Sequence, residues 1–380
     1  MKLALTSSLL ILFGFITLNG SRVGVTLFAL AIDGSPLLIG ALMAAFSLIP
    51  MLLAVPTGRL IDRLGLHRPL AVSIALMGTG AVLPALWPSV PVLFATALAI
   101  GSGGLMMSLT LSNAIGTLSR PTERTRDFAF YTIGMSGSNA LGPLAAGFAI
   151  DATGFAGTFL LLAGSSLVAL FIFARNRSLF KASAQRRPAR AGGFIELLLD
   201  PRMRVIYVVN ALLTMVWDVY QFVIPLYGSR IGLSASQIGI LLGTFSAATV
   251  CTRLVMPVLV RHFRDWTLVA TTLAVTGVGF LYLPVAAGFG TLATTAIVLG
   301  AGFGFANPVV LAISYALSPP GREGEVAGVR SSVASAFHFT FPLALGALIA
   351  TLGIAPMVWA VSGLMFGGMW YVHRQPSSSA

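Results

Sequence analysis

Long apolar segments alternate with short polar stretches along nearly the whole chain. Each apolar segment is about 20 residues long or longer, the length that a helix needs to cross the hydrocarbon core of a bilayer. We therefore predict twelve membrane-spanning helices. Their approximate bounds are 5–31, 37–57, 69–87, 91–118, 127–150, 155–174, 203–229, 234–259, 267–287, 290–317, 326–352 and 355–372.

The second half of the chain repeats landmarks of the first half at a constant distance of 199 residues. The matching residues include Gly40 with Gly239, Phe46-Ser47 with Phe245-Ser246, Gly101 with Gly300, Pro143 with Pro342 and Gly154 with Gly353. Six spans return the chain to its starting side, so both copies cross the membrane in the same sense. Two parallel six-helix copies are the plan of a transporter that binds its substrate between the halves.

Composition and charge support this topology. The chain is 57% hydrophobic and 9% charged, against roughly 25% charged in an average soluble domain. Loops after odd-numbered spans carry little charge beyond Asp151 and Arg230, whereas loops after even-numbered spans are basic. The positive-inside rule then predicts that both termini are cytoplasmic. The net charge of +12 reflects this topology, and we expect no nucleic-acid partner.

The predicted domain organisation follows from one long polar stretch at 175–200. We expect an N-terminal bundle at 1–174, a basic cytoplasmic linker at 175–200, a C-terminal bundle at 201–374 and a short tail at 375–380. The linker contains proline and glycine, as in flexible tethers, and contact with lipid headgroups is an alternative role. Lys2 and the apolar run after it resemble a secretory signal. Because 5–31 has a counterpart at 204–230, we interpret it as an uncleaved first helix.

The loop after the second span carries a family motif. It reads Gly58-Arg59-Leu60-Ile61-Asp62-Arg63-Leu64-Gly65-Leu66-His67-Arg68. This run resembles the signature G-x-L-x-D-R-x-G-R-R/K of the major facilitator superfamily, with Leu66 at a place that is usually basic. The resemblance implies a latch that closes the cytoplasmic side, formed by Gly58, Asp62, Arg63, Gly65, Arg68 and Arg330. The alternative is a turn that only orients the helix hairpin.

The fifth span carries a second motif, Gly142-Pro143-Leu-Ala-Ala146-Gly147. It resembles the Gly-Pro element of family members that export a substrate in exchange for protons, with Ser138 where a glycine is usual. Small residues of this kind allow close helix packing, and packing alone is the alternative interpretation. The resemblance covers essentially the whole chain. It implies an all-α membrane fold of two six-helix bundles, each built from inverted three-helix repeats.

Few polar or ionisable residues lie inside the predicted spans, where such residues are costly and usually functional. Asn19 and Arg22 lie in the first span, and their repeat counterparts in the seventh are Asp218 and Gln221. Each pair is three residues apart and shares a helix face. The first and seventh helices face one another in the family, so we expect one polar cluster. Its other members are Trp217 and Tyr220.

This cluster leaves three interpretations open. Asp218 carries the proton, with burial favouring its neutral form and Arg22 its charged form. Alternatively, Arg22 binds an anionic substrate and Asp218 is its counter-ion. The third is a structural pair that never changes partner. His338, the counterpart of Asn139, could exchange a proton near neutral pH or be a core histidine. Asn113 and Asn307 line the cavity by analogy with the family.

These features together predict a proton-coupled secondary transporter in the inner membrane of a bacterial cell. We expect export of a small organic compound, with uptake of a small organic anion at Arg22 as the alternative. A receptor or scaffold without transport activity is a remote third possibility. The sequence contains no phosphate-binding loop and no local metal motif, so we expect neither an enzyme nor a cofactor. The expected partners are the substrate, protons and lipid, and the expected state is a monomer.

Overall fold

The computed structural model describes residues 1–32, 34–120, 122–180, 196, 200–259, 263, 265–316, 318 and 323–374. In these ranges the chain consists of α-helices joined by short turns, with two short 3-10 helices at Arg177–Phe180 and Leu283–Val285. The long helix Arg124–Arg175 bends at Gly154, and we call its arms before and after that residue α5 and α6. The other helices are α1 (Lys2–Ala31), α2 (Pro36–Leu64), α3 (His67–Leu86), α4 (Val90–Leu118), α7 (Pro201–Arg230), α8 (Ala235–Leu259), α9 (Asp265–Tyr282), α10 (Phe289–Ala316), α11 (Glu323–Leu352) and α12 (Ile354–His373).

The described helices account for all twelve predicted spans. Ten of the described helices are long and apolar enough to cross a membrane, when the 52-residue helix Arg124–Arg175 is counted as one helix. That helix holds the fifth and sixth spans, and Phe289–Phe305 is a shorter apolar helix at the tenth. The all-α membrane fold is therefore confirmed. The linker at 181–195 and the tail at 375–380 lie outside the described residues.

Two glycines at repeat-related positions end the fifth and eleventh spans. Gly154 has a φ of 72° and Gly353 a φ of 86°. Only glycine adopts such positive values at little cost, so the chain turns without a long loop at both places. The turn from α5 to α6 thus has the same backbone solution as the turn from α11 to α12.

The first of two compact units comprises Met1–Pro188 and Gly228–Gly243. Its centre is the packing of α1 on α5, where small residues let the two backbones approach closely. A Cβ on Gly134 would meet the carbonyl oxygen of Ser8, and one on Gly142 would lie 3.0 Å from the amide nitrogen of Gly20.

The second unit comprises Ala189–Tyr227 and Thr244–Ala380. In this unit α9 packs against α12, where the Ser362 hydroxyl donates to the Gly277 carbonyl at 2.7 Å. The domain bounds predicted from sequence stay a prediction.

A buried polar contact links α1 to α6 and gives a stability prediction. Thr17 is fully buried, and its hydroxyl donates to the Leu162 carbonyl at 2.9 Å and meets the Ser166 hydroxyl at 2.9 Å. Thr17→Val keeps the shape but removes both contacts and takes a partner from the buried Ser166 hydroxyl, at a cost of about 1–3 kcal/mol. We expect a lower melting temperature for the purified protein in detergent.

Thr79→Val is the matched control for this change. The Thr79 side chain is exposed and donates only within its own helix, to the Ala75 carbonyl at 2.7 Å and more weakly to Leu76. The Thr79→Val variant should have the same melting temperature as the unaltered protein. Equal melting of Thr17→Val and Thr79→Val would contradict a stabilising role for the Thr17 contact.

Candidate functional site

An acid–histidine pair joins α7 to α11. The Nδ1 atom of His338 lies 2.9 Å from both carboxylate oxygens of Asp218. The Asp218 side chain is 8% exposed and the His338 side chain 34%. The Nδ1 atom therefore lies where a proton on it would be shared with both oxygens of a nearly buried carboxylate, and the imidazole is partly accessible.

The first half of the chain contains the repeat-related pair in a neutral form. The Asn19 side chain donates from Nδ2 to Oδ1 of Asn139 at 2.9 Å, and weakly to the Ser138 hydroxyl at 3.5 Å. Both pairs are separated by 120 residues along the chain. The same helix contact thus holds two amides in α1 and α5, but an acid and an imidazole in α7 and α11.

The partnership of Asp218 with His338 was not predicted. The sequence had already matched Asn19 to Asp218 and Asn139 to His338, each by the repeat. What it lacked was the contact between the helices that carry them. The shared separation of 120 residues follows from the repeat itself and did not indicate that the helices touch.

A second polar contact fixes how α7 and α11 run together. Arg330 donates from Nη1 to Oδ1 of Asn210 at 3.2 Å, and Asn210 donates to the Arg330 carbonyl at 3.4 Å. Both residues lie eight positions before Asp218 and His338, which is about 12 Å along a helix. The two helices therefore run in the same direction and in register.

Aromatic side chains pack beside Asp218 on α7. Tyr220 stacks on Phe245 with ring centroids 4.3 Å apart, and Trp217 lies 5.8 Å from Phe245 and 5.7 Å from Phe303. Tyr220 and Phe245 are fully buried, whereas Trp217 and Gln221 are half-buried. This packing fixes the face of α7 that carries Asp218 and leaves Trp217 and Gln221 as its accessible neighbours.

The remaining predicted site residues lie in several places. In the first unit, the Arg22 guanidinium lies over the Phe46 ring at 5.7 Å from its centroid, and Asn113 is half-buried on α4. Arg22 and Asp218 belong to different units, so their joint cluster stays a prediction. The Asn307 side chain lies outside the described residues. Within the described residues no group of three or more His, Cys, Asp or Glu could hold a metal ion.

The latch motif lies at the end of α2. Gly65 has a φ of 74° and terminates this helix, and a Cβ on Gly58 would meet nothing within 4 Å. Arg63 and Arg68 are exposed, and the Asp62 side chain lies outside the described residues. The cytoplasmic latch, including a contribution from Arg330, stays a prediction.

The Gly-Pro motif packs α5 against two helices of the first unit. A Cβ on Gly142 would lie 2.9 Å from the Cβ of Asn19 on α1. A Cβ on Gly147 would lie 3.1 Å from the Cα of Gly239 on α8, and one on Gly239 would lie 2.6 Å from the Pro143 carbonyl oxygen. Ser138 is fully buried in this surface. The motif thereby sets the height at which Asn19 meets Asn139.

Comparison with known proteins now identifies the family. The sequence model of the Major Facilitator Superfamily matches residues 7–342 and 206–380. The chain belongs to the major facilitator superfamily. Its members are transporters and not enzymes, and they carry small molecules across membranes. The protein is therefore a multi-pass membrane transporter.

One curated relative and many solved structures resemble the chain. Quinolone resistance protein NorA of Staphylococcus aureus (strain MRSA252) is 24% identical over 355 residues, which cover 89% of this chain and 87% of that protein. A POT family transporter in complex with a thioalcohol-conjugated peptide has a TM-score of 0.83 at 12% identity, covering 97% of this chain and 94% of that chain. The nucleoside transporter NupG has a TM-score of 0.76 at 14% identity, covering 98% and 99%. At these identities the solved structures share the fold, which says nothing about the substrate.

Proposed function

We propose that this transporter exports a small organic compound from a bacterial cell in exchange for protons. The observation that carries the proposal is the Asp218–His338 pair, with its 2.9 Å contacts inside the span region. The proposal includes an inner-membrane location with both termini in the cytoplasm. It also includes a monomeric protein that works without a cofactor.

The chemistry of the pair suits a proton carrier. An ionised carboxylate in a membrane span is costly unless a partner offsets its charge, and Asp218 is 8% exposed. His338 offsets that charge by donating from Nδ1, and more strongly when the imidazole is protonated. A substrate that displaces His338 leaves Asp218 either to take up a proton or to bind the substrate itself. Proton binding and substrate binding then compete for one carboxylate.

The repeat strengthens this interpretation because only one of the two repeat-related pairs is ionisable. Asn19 and Asn139 occupy the same geometry with two amides, which neither gain nor lose protons. A pair kept only for packing has no need of an acid and an imidazole, whose burial costs more than that of amides. One proton moved through the C-terminal pair gains about 2.3 kcal/mol per 100 mV of membrane potential.

Two observations favour export over uptake. The Gly142-Pro143 motif resembles the element of proton-exchanging exporters, and it lies at the contacts of α5 with α1 and α8. The curated relative is named for quinolone resistance, a property that export of the drug explains. The substrate class that we propose is therefore a small amphiphilic or drug-like compound, and Trp217 offers it an aromatic surface.

The experiment uses inverted membrane vesicles with an internal proton gradient reported by a pH-sensitive dye. We expect at least one compound from a panel of quinolones, other antibiotics, amines and organic acids to dissipate the gradient. The effect should require this protein and should be absent with Asp218→Asn. The opposing outcome is a silent panel together with accumulation of an organic anion in whole cells that Arg22→Gln removes. That result would replace export with anion uptake.

A further inference from the structure

The first turn of α8 has donors that its own sequence cannot satisfy. The first N–H groups of any helix lack acceptors within the helix. Here Ser234 and Gln237 form a capping box: the Ser234 amide donates to the Gln237 side chain at 3.0 Å, and the Gln237 amide donates to the Ser234 hydroxyl at 3.2 Å. This arrangement is a known way to satisfy two donors reciprocally. It leaves the amides of Ala235 and Ser236.

Asp151 accepts both of these donors from a distant part of the chain. The Ala235 amide donates to Oδ1 at 3.2 Å, and the Ser236 amide donates to Oδ2 at 2.8 Å. The Ser236 hydroxyl also donates to Oδ2. Asp151 follows the predicted fifth span and is exposed in the last turn of α5. One carboxylate thus completes the amino end of another helix with three hydrogen bonds.

The contact is electrostatic as well as geometric. A helix amino terminus carries a partial positive charge that attracts an anion, and hydrogen bonds to an ionised acceptor are the stronger kind. Partial burial raises the pKa of the Asp151 carboxyl, but the hydrogen bonds from Ser236, Ser234 and Ala235 outweigh it and hold the pKa below its ordinary value of 3.8. A lowered pKa means that the contribution is present above that value and is lost only in stronger acid. None of the three contacting residues titrates.

Beneath Asp151, the same face of α5 packs on the first two turns of α8. A Cβ on Gly243 would lie 2.9 Å from the Leu144 side chain, and Gly147 meets Gly239 as described above. Leu144, Gly147 and Asp151 are three and four residues apart, so they line one helix face. Asp151 is the polar end of a close and otherwise apolar helix contact.

The repeat lacks this contact at the matching place. The counterpart of Asp151 is Ala350, and the counterparts of Ala235 and Ser236 are Pro36 and Leu37. Proline has no N–H to satisfy. The local cap is retained there, because the Ser35 hydroxyl accepts from the Leu38 amide at 3.2 Å. The carboxylate is therefore an addition specific to the α5–α8 contact, beyond what helix capping requires.

We propose that Asp151 is a latch that holds the start of α8 against the end of α5 on the predicted outer side. The latch closes through the amides of Ala235 and Ser236, and it releases when this end of the protein opens to the outside. It applies to any transport cycle in which that end opens, whatever the substrate, direction or coupling ion. It is distinct from the family motif at Asp62, which lies at the carboxyl end of α2 on the predicted cytoplasmic side.

The test measures how fast a cysteine beneath the latch reacts from outside. Cys251, the single cysteine of the chain, is replaced by serine and Leu144→Cys supplies the reporter. Whole cells are treated with a membrane-impermeant maleimide in the absence of substrate. Loss of a helix cap shifts an equilibrium by about fivefold, so we expect Asp151→Ala to speed labelling by about that factor or more. Asp151→Asn, which keeps the shape but loses the charge, should also speed it.

Controls separate release of the latch from general damage. Thr153→Val alters the same turn at a side chain that bonds within its own helix, to the Ala149 carbonyl at 2.9 Å, and it should leave the rate unchanged. Ser236→Ala removes one of the three hydrogen bonds to Asp151, and its labelling rate should lie between that of the unaltered protein and that of Asp151→Ala. Rates are normalised to labelling after denaturation, so a lower amount of protein does not imitate the effect. Unchanged labelling in both Asp151 variants would overturn the latch, and because labelling reports opening of the outer end and not transport, that result would leave the proposed export function untouched.

Discussion

Asp218→Asn is expected to reduce proton-driven transport to the level of membranes without the protein, while exchange of substrate for substrate continues. The amide keeps the shape of the carboxylate but takes up no proton, so the step that couples transport to the gradient is removed. Exchange needs only the return of the loaded protein and substrate binding, for which the amide oxygen remains a hydrogen-bond acceptor. The measurement compares uptake of a labelled substrate into inverted vesicles with counterflow in the same vesicles without a gradient.

The chain itself provides a template for a stricter version of this change. Asp218→Asn combined with His338→Asn would reproduce the Asn19–Asn139 pair, whose amides meet at 2.9 Å in the repeat-related position. We expect this double variant to be folded and to exchange substrate without any response to the gradient. Its yield and melting temperature, measured beside the single variants, show whether a neutral pair is accepted between α7 and α11.

Asp127→Asn is the matched control for the same chemical change at a buried carboxylate elsewhere. Asp127 is 2% exposed in the first turn of α5 and accepts from the Ser119 hydroxyl at 2.7 Å and from Arg126 at 3.1 Å. This variant should retain the response to the gradient. Full proton-driven transport by Asp218→Asn would show that the proton travels elsewhere, and the Asp218–His338 pair would then be structural.

The helices of this protein could be predicted because a bilayer imposes a simple rule on sequence. A span must be apolar over about 20 residues, and the predicted bounds agree with the helices to within a few residues along most of the chain. For example, the fourth span was predicted at 91–118 and α4 is Val90–Leu118. The match of Gly154 to Gly353 in the repeat marked the position of the turn from α5 to α6. The sequence did not predict that the turn would have almost no loop.

The candidate site was less predictable because it depends on which helices touch. Asp218 and His338 were both singled out as ionisable residues within spans, yet nothing in the local pattern says that α7 lies beside α11 in register. The contact of Asp151 with α8 was missed for a related reason. The Ser234–Gln237 capping box is readable from sequence, but the two amides that it leaves open are completed from 84 residues away.

Gly101→Val and Gly300→Val are expected to reduce folded protein to a small fraction of the normal yield. A Cβ on Gly101 would meet the carbonyl oxygen of Phe46 and lie 3.0 Å from its Cα, and a Cβ on Gly300 would meet the carbonyl oxygen of Phe245. These are backbone atoms of α2 and α8, which cannot rotate away as a side chain can. Overpacking typically costs about 1–3 kcal/mol, and here two helices must also separate along their length. Size-exclusion chromatography in mild detergent measures the folded fraction.

Control variants place valine at glycines of α4 and α10 that have open space around them. They show whether the loss of yield comes from the clash or from replacing a glycine by valine. A Cβ on Gly116 of α4 or on Gly290 of α10 would meet nothing within 4 Å, so Gly116→Val and Gly290→Val should give nearly normal yields. Gly101 and Gly300 are related by the repeat, and so are Phe46 and Phe245. Gly101 faces the backbone of Phe46, and Gly300 faces the backbone of Phe245. The two halves should therefore fail alike. Normal yield for either buried variant would mean that the helix pair concerned can separate at little cost, and the close backbone contact would then not determine the packing of that half.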